Sequence, residues 1–342
     1  YAEYYTPNSI ARIIAKILAP NPTQNVTLYD PAAGSGTLLL ALAHQIGEEN
    51  CTIYSQDISQ KSNEFLRLNL ILNNLVHSLG NVIHGDTLLN PAHLNREKNG
   101  LAKFDYIVSN PPFKTDFSET RDQLADDKYK DRFFAGVPKI KEKSKEKMEI
   151  YLCFMQHIIY SLNDTGKAAI IIPTGFITAQ TTIERLVRKK IVDEKMLFGC
   201  ISMPSNIFAT TGTNVSIIFI DKSRKTDKCI LIDASNLGTK VKIGKNQKTV
   251  LSKEEEKLIN NTFMNLDEIE GFSKVVTNDE IKSKKYSLSA GQYFDLKLNY
   301  EELSQEQFEE KINKYKNEIE ELLLVNKELL NEIKNSFGDM SL

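Results

Sequence analysis

The four residues Asn110-Pro111-Pro112-Phe113 have the residue types and spacing most typical of a reactive loop in this sequence. They follow residues 104–109, an apolar run that is typical of a buried strand. Two consecutive prolines make the backbone rigid and remove two N–H donors, whereas their carbonyl oxygens remain as acceptors. The side-chain oxygen of Asn110 and the carbonyl of Pro111 can therefore accept both hydrogens of one amine. We call residues 110–113 the NPPF loop.

Two such acceptors suit an amine that is a poor nucleophile because it is conjugated to an aromatic ring, as in adenine. They would localise the nitrogen lone pair and direct it at a methyl donor, and this chemistry requires no metal. Phe113 is placed to stack on a base that has been turned out of a duplex. A proline-rich turn without chemistry is the alternative interpretation of these four residues taken alone.

A second motif, Asp-Pro-Ala-Ala-Gly-Ser-Gly-Thr at residues 30–37, follows a strand candidate and opens a helix candidate. Its glycines allow a tight turn and let a ligand approach without a clash against Cβ. The motif is neither GxGxxG nor GxxxxGK[ST], and Asp30 in front of it suits a cationic or zwitterionic ligand better than a polyphosphate. A generic glycine-rich turn is the alternative. We call residues 30–37 the glycine turn.

Two further acids, Asp57 and Asp86, come at the ends of the second and third strand candidates. An acid placed one βα unit beyond a glycine turn is where a ribose diol is bound in folds of this kind. Asp86 would meet the adenine ring of the same ligand. A surface carboxylate for Asp57 and an ordinary Gly-Asp turn for Asp86 are the alternatives.

Strand and helix candidates alternate along the first part of the chain. The strand candidates are residues 26–30, 52–56, 82–84, 106–109 and 168–173, and the helix candidates are residues 9–18, 37–45, 59–73 and 148–162. This alternation predicts an α/β fold with a mostly parallel sheet and helices on both faces. Residues 197–203 and 214–221 predict an antiparallel hairpin that closes the sheet. Residues 226–237 and 249–265 predict a further strand and helix.

Two segments have a different pattern. Residues 114–147 are rich in charge and contain Gly136 and Pro138, which predicts a long loop or a partly disordered excursion. The lysine-rich run within it, residues 139–147, is either solvated or a contact for phosphates. The tail has a heptad seam, formed by Phe308, Ile312, Tyr315, Ile319, Leu322, Asn326, Leu329 and Ile333. It predicts a coiled-coil contact with another chain, or an amphipathic helix on its own domain.

Composition sets limits on the class of protein. The chain has 342 residues, 41% of them hydrophobic, and a net charge of −2, so any DNA contact must rest on local basic patches or on a partner. The four cysteines form no CxxC pair, which predicts buried thiols in a reducing compartment. No apolar run is long enough to span a membrane, and the five histidines have no metal-ligand spacing. We expect a cytoplasmic protein without a metal, and a first residue Tyr1 that marks a processed or truncated chain.

The glycine turn followed by the NPPF loop resembles the adenine-N6 DNA methyltransferases, and more narrowly the modification (M) subunit of type I restriction-modification systems. Further segments resemble that family: Glu3-Tyr4-Tyr5-Thr6-Pro7, Gly85-Asp86-Thr87-Leu88, Pro204-Ser205-Asn206-Ile207-Phe208 with Thr213-Asn214, Tyr286-Ser287-Leu288-Ser289 and Gly291-Gln292-Tyr293. The resemblance covers most of residues 1–293. Family members carry a helical domain ahead of the Tyr-Thr-Pro segment, and this chain begins almost on that segment.

The resemblance implies a Rossmann-like methyltransferase that uses S-adenosylmethionine, with the NPPF loop as catalytic loop and target-base pocket. It implies that the methyl donor is bound by Glu3, Tyr4, Tyr5, Thr6, Pro7, Asn8, Asp30, Ala32, Gly34, Ser35, Gly36, Thr37, Asp57 and Asp86. The implied partners are DNA, a specificity (S) subunit, a second copy of the modification subunit and a restriction (R) subunit, with no membrane.

We expect three regions: a catalytic domain at residues 1–240, an extension of it at residues 241–299 and a heptad-patterned helix for subunit contact at residues 300–342. Two alternative functions remain open at this point. Asn-Pro-Pro-aromatic loops also occur in enzymes of this fold that methylate protein glutamine or guanine in RNA. The chain can also be a non-catalytic assembly subunit that has kept the cofactor pocket.

Overall fold

The computed structural model describes residues 6–208, 213–243, 246–294 and 304–338. The chain forms two compact units, residues 1–294 and residues 295–342. Residues 241–294 therefore belong to the same unit as the residues before them. The second unit is described here only by its helix.

Eleven strands are found in the described part of the chain. They are β1 (Val26–Asp30), β2 (Cys51–Asp57), β3 (Val82–His84), β4 (Phe104–Ser109), β5 (Leu162–Pro173), β6 (Leu197–Ser202), β7 (Val215–Asp221), β8 (Lys228–Asp233), β9 (Thr239–Ile243), β10 (Asn246–Val250) and β11 (Ser273–Thr277). Nine of them form one sheet in the order β11-β8-β6-β7-β5-β4-β1-β2-β3, and β9 and β10 form a separate ribbon.

The described helices lie between these strands. They are α1 (Asn8–Leu18), α2 (Thr37–Ile46), α3 (Gln60–Leu72), α4 (Arg121–Leu124), α5 (Tyr151–Ser161), α6 (Thr182–Asp193), α7 (Lys253–Asn265), α8 (Asn278–Ser283) and α9 (Gln305–Gly338). Local sequence fixes several of their starts. In α7, for example, Ser252 Oγ accepts from Glu255 N at 3.2 Å while Glu255 Oε2 accepts from Ser252 N at 2.7 Å.

The direction of the strands decides where the site lies. Strands β3, β2, β1, β4 and β5 are parallel neighbours, and β7 is antiparallel to both β5 and β6. Strand β6 therefore runs in the same direction as β4, and β8 is parallel to β6. The carboxyl ends of β1, β2, β4, β6 and β8 all meet at one edge of the sheet, which we call the carboxyl edge.

The sheet separates two apolar layers because successive side chains of a strand point to opposite faces. On β5, Ala169 and Ile171 pack with α1, α2, α3 and α7, whereas Ile170 and Ile172 pack with α5, α6 and α8. The predicted α/β fold with a mostly parallel sheet and helices on both faces is confirmed. The predicted hairpin also forms, as β6 and β7.

That hairpin does not close the sheet, and this part of the prediction was wrong. Strand β7 inserts between β5 and β6, and the sheet continues past β6 to β8 and β11. The apolar pattern of residues 197–221 defines two strands but does not contain their order in the sheet. That order depends on partners that come later in the chain.

Residues 114–150 form a packed segment. It contains only short helical turns, and it buries Phe117, Leu124, Phe133 and Val137 in a third apolar cluster with α5. Gln156 of α5 anchors this segment: its Oε1 accepts from Ala135 N at 2.7 Å, and its Nε2 donates to Gly136 O at 2.9 Å. The predicted long loop is therefore present, whereas the alternative of a partly disordered excursion was wrong.

The tail and the cysteines follow their sequence patterns. The predicted tail helix forms as α9, and its described side chains, residues 305–333, are all exposed. The four cysteines are free and buried. No helix in the described ranges is long and apolar enough to cross a lipid bilayer.

Candidate active site

The candidate active site lies at the carboxyl edge, beside the central strands β2, β1 and β4. The glycine turn follows β1, Asp57 is the last residue of β2, and the NPPF loop follows β4. Parallel neighbouring strands bring the residues after their carboxyl ends together, and ligands of open α/β sheets bind there. The fold therefore places the two predicted motifs side by side.

The glycine turn is held by Asp57 from the neighbouring strand. Gly34 N donates to Asp57 Oδ2 at 2.8 Å. Gly34 and Gly36 both have positive φ, +52° and +85°, which disfavours other residues there. Their surroundings differ: a Cβ on Gly34 would meet no atom within 4 Å, whereas a Cβ on Gly36 would lie 2.3 Å from Leu66 Cδ1. Gly34 therefore borders open space, while Gly36 packs against α3.

Asp30 connects the glycine turn to the strand that leads into the NPPF loop. Its Oδ1 accepts from Ala32 N at 2.9 Å and from Ser109 Oγ at 2.8 Å, and the residue is only 2% exposed. Burial raises the pKa of Asp30 to about 7, although the two hydrogen bonds act in the opposite direction. Such a carboxyl group changes its charge near neutral pH, and a cationic ligand beside it would stabilise the ionised form.

Both carboxylate oxygens of Asp57 accept from backbone N–H groups. Its Oδ1 accepts from Ser59 N at 2.8 Å, and its Oδ2 accepts from Gly34 N as described above. Each carboxylate oxygen has a second lone pair, so both can also accept from a pair of vicinal hydroxyl groups. The next residue, Ile58, is a large apolar side chain that is 72% exposed. An acid followed by an exposed apolar side chain suits a nucleoside: Asp57 could bind the sugar hydroxyls, and Ile58 could pack against the base ring.

Asp86 contributes to the turn after β3. Its Oδ1 accepts from Leu88 N at 2.8 Å and from Leu89 N at 3.1 Å, which closes this turn. Thr87 then joins the turn to the glycine turn, because its buried Oγ1 donates to Pro31 O at 2.7 Å. The described contacts of Asp86 are thus structural, and Thr87 is a connection that the sequence pattern did not single out.

The NPPF loop presents the side chain of Asn110. Its Nδ2 donates to Thr6 Oγ1 at 3.2 Å, and no described residue donates to its Oδ1. The amide is therefore anchored through its nitrogen, and its oxygen is available to a substrate. The half-buried Phe113 meets Tyr151 edge to face at 6.4 Å between ring centroids. Burial raises the pKa of Tyr151, so this wall of the loop stays neutral.

The other predicted donor contacts lie around the same turn, as far as they are described. Thr6 is buried, Pro7 precedes α1 and Asn8 is its first residue. Ala32, Ser35 and Thr37 belong to the glycine turn, where Ser35 O accepts from Asn69 Nδ2 at 3.0 Å. Glu3, Tyr4 and Tyr5 lie outside the described residues.

Arg132 is a buried residue that the sequence pattern did not single out. It is 4% exposed, its Nη2 donates to Leu88 O, and its guanidinium carbon lies 4.7 Å from the ring centroid of Tyr129 and 4.4 Å from that of Phe133. No carboxylate of the described residues pairs with it, and burial lowers its pKa. Arg132 thus joins the packed segment to the turn after β3. Nothing in the sequence separates it from the solvated lysines nearby.

The described part of the chain holds no group of three His, Cys, Asp or Glu side chains that could ligate a metal ion. The functional groups found at the carboxyl edge are carboxylates, amides, backbone N–H groups and aromatic rings. This set can bind a zwitterionic nucleoside and hold a planar amine next to it.

Comparison with known proteins agrees with this arrangement. The family described as N-6 DNA Methylase matches residues 1–321. The chain is 29% identical to a type I restriction enzyme MpnII methylase subunit from Mycoplasma pneumoniae, over 99% of this chain and 62% of that protein. It is 28% identical to the MjaVIII methylase subunit from Methanocaldococcus jannaschii, over 97% of this chain and 56% of that protein. The chain thus spans about three fifths of the length of these relatives.

A solved structure shows the same fold. The type I restriction-modification methyltransferase subunit from Streptococcus thermophilus superposes with a TM-score of 0.71 and 26% identity, over 86% of this chain and 60% of that one. The chain belongs to the N-6 DNA methylase family. The resemblance to type I modification subunits that the motifs indicated is confirmed.

Proposed function

We propose that this chain transfers a methyl group from S-adenosylmethionine to the exocyclic N6 amine of adenine in DNA, as the modification subunit of a type I restriction-modification complex. One observation carries the proposal: no described residue donates to the Oδ1 of Asn110, and this atom belongs to a loop at the edge of the sheet where the glycine turn also lies. A scaffold that has lost catalysis has no need for an amide held in this way.

The donor side fits S-adenosylmethionine. When bound, this cofactor supplies a methyl group on a positively charged sulfonium, next to a zwitterionic amino acid and a nucleoside. The open side of Gly34 leaves room for it, and Asp57 can accept from its ribose hydroxyls. Asp30, with a pKa near 7, favours its cationic groups. These residues bind and orient, and they take no part in bond making.

The acceptor side fits adenine. Asn110 Oδ1 and the carbonyl oxygen of Pro111 accept the two N6 hydrogens, which directs the nitrogen lone pair away from the ring and toward the donor. Phe113 supports the face of the base, which must leave the duplex to reach this loop. The edge-to-face contact of Phe113 with Tyr151 fixes its ring, and Thr6 fixes the Asn110 amide.

The proposed partners follow from the named relatives and from the charge. Those relatives are methylase subunits of type I restriction enzymes, and this chain has a net charge of only −2. We therefore assign DNA reading to a specificity subunit, in a cytoplasmic complex that also contains a second copy of this subunit and a restriction subunit.

Residues 1–240 would form the catalytic domain and residues 241–299 its extension. The exposed apolar seam of α9 would bind a partner, with Phe308, Ile319 and Leu322 more than half exposed.

The test is to purify the chain with its specificity subunit and to supply labelled S-adenosylmethionine and DNA that contains the recognition sequence. We expect the label on N6 of adenine, and we expect labelling to be at least about 100-fold slower when Asn110→Ala replaces the wild type. Label on cytosine, or no label at all, would refute the proposal. Label on a protein glutamine or on RNA guanine would replace it by the alternative substrates of this fold.

A further inference from the structure

A two-stranded ribbon, β9 and β10, extends from the first compact unit between β8 and α7. Its strands are antiparallel, with Lys240 opposite Thr249, Val241 opposite Lys248 and Lys242 opposite Gln247. Residues 239–250 contain four lysines and no acid. We call residues 239–250 the lysine ribbon.

The lysine ribbon starts from the carboxyl edge, the same edge as the candidate active site. It follows β8, whose carboxyl end lies there because β8 is parallel to β6. Its return strand is attached to the segment after β6: Thr249 N donates to Asn206 O at 3.0 Å and Thr249 Oγ1 donates to Ser205 O at 2.6 Å. The base of the ribbon is therefore fixed.

The sheet order gives the distance from the NPPF loop to the base of the ribbon. Strand β6 lies three positions from β4, and β8 lies four positions from it. Neighbouring strands are about 4.8 Å apart, so the separation along the sheet is roughly 14 to 19 Å. Each base pair of a duplex adds about 3.4 Å, so this is a distance of roughly 4 to 6 base pairs.

Two lysines of the first ribbon strand are available to bind an anion. Lys240 and Lys242 are exposed and lie on one face of the ribbon, since alternate residues of a strand share a face. No hydrogen bond or ion pair to a described residue involves their ammonium groups. In the lysine-rich run of residues 139–147, by contrast, Lys141 is paired with Glu149 and further glutamates are interleaved. The ribbon therefore has no acid among its lysines, unlike the run at residues 139–147.

We propose that the lysine ribbon binds the phosphate backbone of the DNA whose adenine enters the NPPF loop, roughly 4 to 6 base pairs from that adenine. This rests on the proposed function and adds a contact to it. With a net charge of −2, the chain as a whole does not attract phosphates. A local cationic patch of this kind can still bind them.

The experiment measures how salt weakens DNA binding. The chain is purified with its specificity subunit, and binding of this complex to a fluorescent duplex of about 30 base pairs that contains the recognition sequence is followed by anisotropy between about 50 and 200 mM NaCl. Each phosphate contact adds about 0.9 to the slope of log K against log salt. The double variant Lys240→Ala/Lys242→Ala should therefore lose about 1.8 from that slope. The affinity advantage of the wild type over this variant should then shrink about 12-fold across the salt range.

The matched control is Lys225→Ala/Lys228→Ala, which removes the same charge from two exposed lysines at the opposite edge of the sheet, around the start of β8. Its slope should equal that of the wild type, and thermal unfolding should be the same for all three proteins. An unchanged slope in the ribbon variant, an equal loss in the control, or no duplex binding by the wild type at the lowest salt would each overturn the inference.

Methyl transfer by the same preparations separates this inference from the proposed function. Normal adenine methylation by the wild type, together with an unchanged slope in the ribbon variant, refutes the ribbon contact alone. A reduced slope in a chain that never methylates adenine supports the ribbon contact and refutes the proposed function.

Discussion

The donor half and the base half of the candidate active site are held in place in different ways. In the donor half, Gly34 N donates to Asp57 and Ala32 N donates to Asp30, contacts that span 23 residues or fewer. In the base half, Asn110 is anchored by Thr6, 104 residues away. The packed segment of residues 114–150 adds the surroundings of Phe113.

The two halves can therefore be perturbed separately. Local turn chemistry and the register of β1 with β2 suffice to form the donor half, so it should bind its ligand even when the base half is damaged. Hydrogen bonds from Ser109 to Asp30 and from Thr87 to Pro31 are among those that connect the donor half to its neighbours. Substitutions can therefore be chosen that affect donor binding, methyl transfer, or both.

The largest effect is expected for Asn110→Ala. Loss of one polar group that acts in the transition state costs about 100-fold or more in rate, while donor affinity should change less than about twofold. Labelled methyl transfer measures the first quantity and calorimetry with S-adenosylmethionine the second.

Thr6→Val provides the graded control for that experiment. It removes the hydroxyl that accepts from Asn110 but leaves the acceptor oxygen of Asn110 in place, so a rate loss of only a few fold is expected. A loss in Thr6→Val as large as that in Asn110→Ala would contradict a direct role for the Asn110 oxygen.

A matched pair of glycine substitutions tests the donor half. Alanine at either position lowers the free energy of unfolding by about 1 kcal/mol, because the backbone there is left-handed. In Gly34→Ala the new Cβ points into open space, so it should block the donor and reduce its affinity by at least about tenfold, with little further loss of stability. In Gly36→Ala it meets Leu66, so the free energy of unfolding should fall by roughly 1 to 3 kcal/mol more.

Calorimetry and denaturant unfolding separate the two glycine variants. If Gly34→Ala binds the donor normally, the open space beside Gly34 is not the donor site.

The contrast between the halves also explains what the sequence could predict. Strands β1 to β4 and the motifs that follow them are local patterns of apolar runs, glycines and prolines, and they were predicted within a few residues. The anchoring of Asn110 by Thr6 and of Asp30 by Ser109 required the strand order β4-β1-β2, which the alternation of strands and helices only suggested. The donor half was accordingly the easier one to recognise.

Other features depend on contacts between distant segments and have little local signal. The lysine ribbon has only a short alternation of lysine with Val241 and Ile243, and its return strand is polar apart from Val250. The packed segment resembles a solvated loop because its buried apolar residues are spread among charges without a period. The insertion of β7 between β5 and β6 is a matter of strand order alone.

A smaller effect is expected from pH, through Asp30. Its pKa in the folded chain is about 7, above its ordinary value of 3.8, so the folded state holds a proton that the unfolded state has lost. The stability that this group contributes is present below pH 4 and is lost as pH rises through 7. Donor affinity should change in the opposite sense, because a cationic ligand favours the carboxylate. It should rise about tenfold between pH 6 and pH 8.

Calorimetry across that pH range, with Asp30→Asn as the comparison, measures this effect. The variant should bind the donor more weakly and without the pH dependence. A wild type whose affinity is flat over the range would show that Asp30 does not face the cationic part of the donor.

The smallest effect is expected for Arg132, because it touches both halves only indirectly. It belongs to the packed segment of the base half, but it holds the carbonyl of Leu88 in the turn that follows β3 on the donor side. Asp86 also holds that turn, so Arg132→Met should loosen it without unfolding it. Donor affinity and transfer rate should therefore fall together, by about threefold each, with roughly 1 to 3 kcal/mol of stability lost to the unpaired carbonyl. Lys130→Met, at an exposed neighbour, should change neither quantity. A change in the transfer rate alone would place Arg132 entirely in the base half.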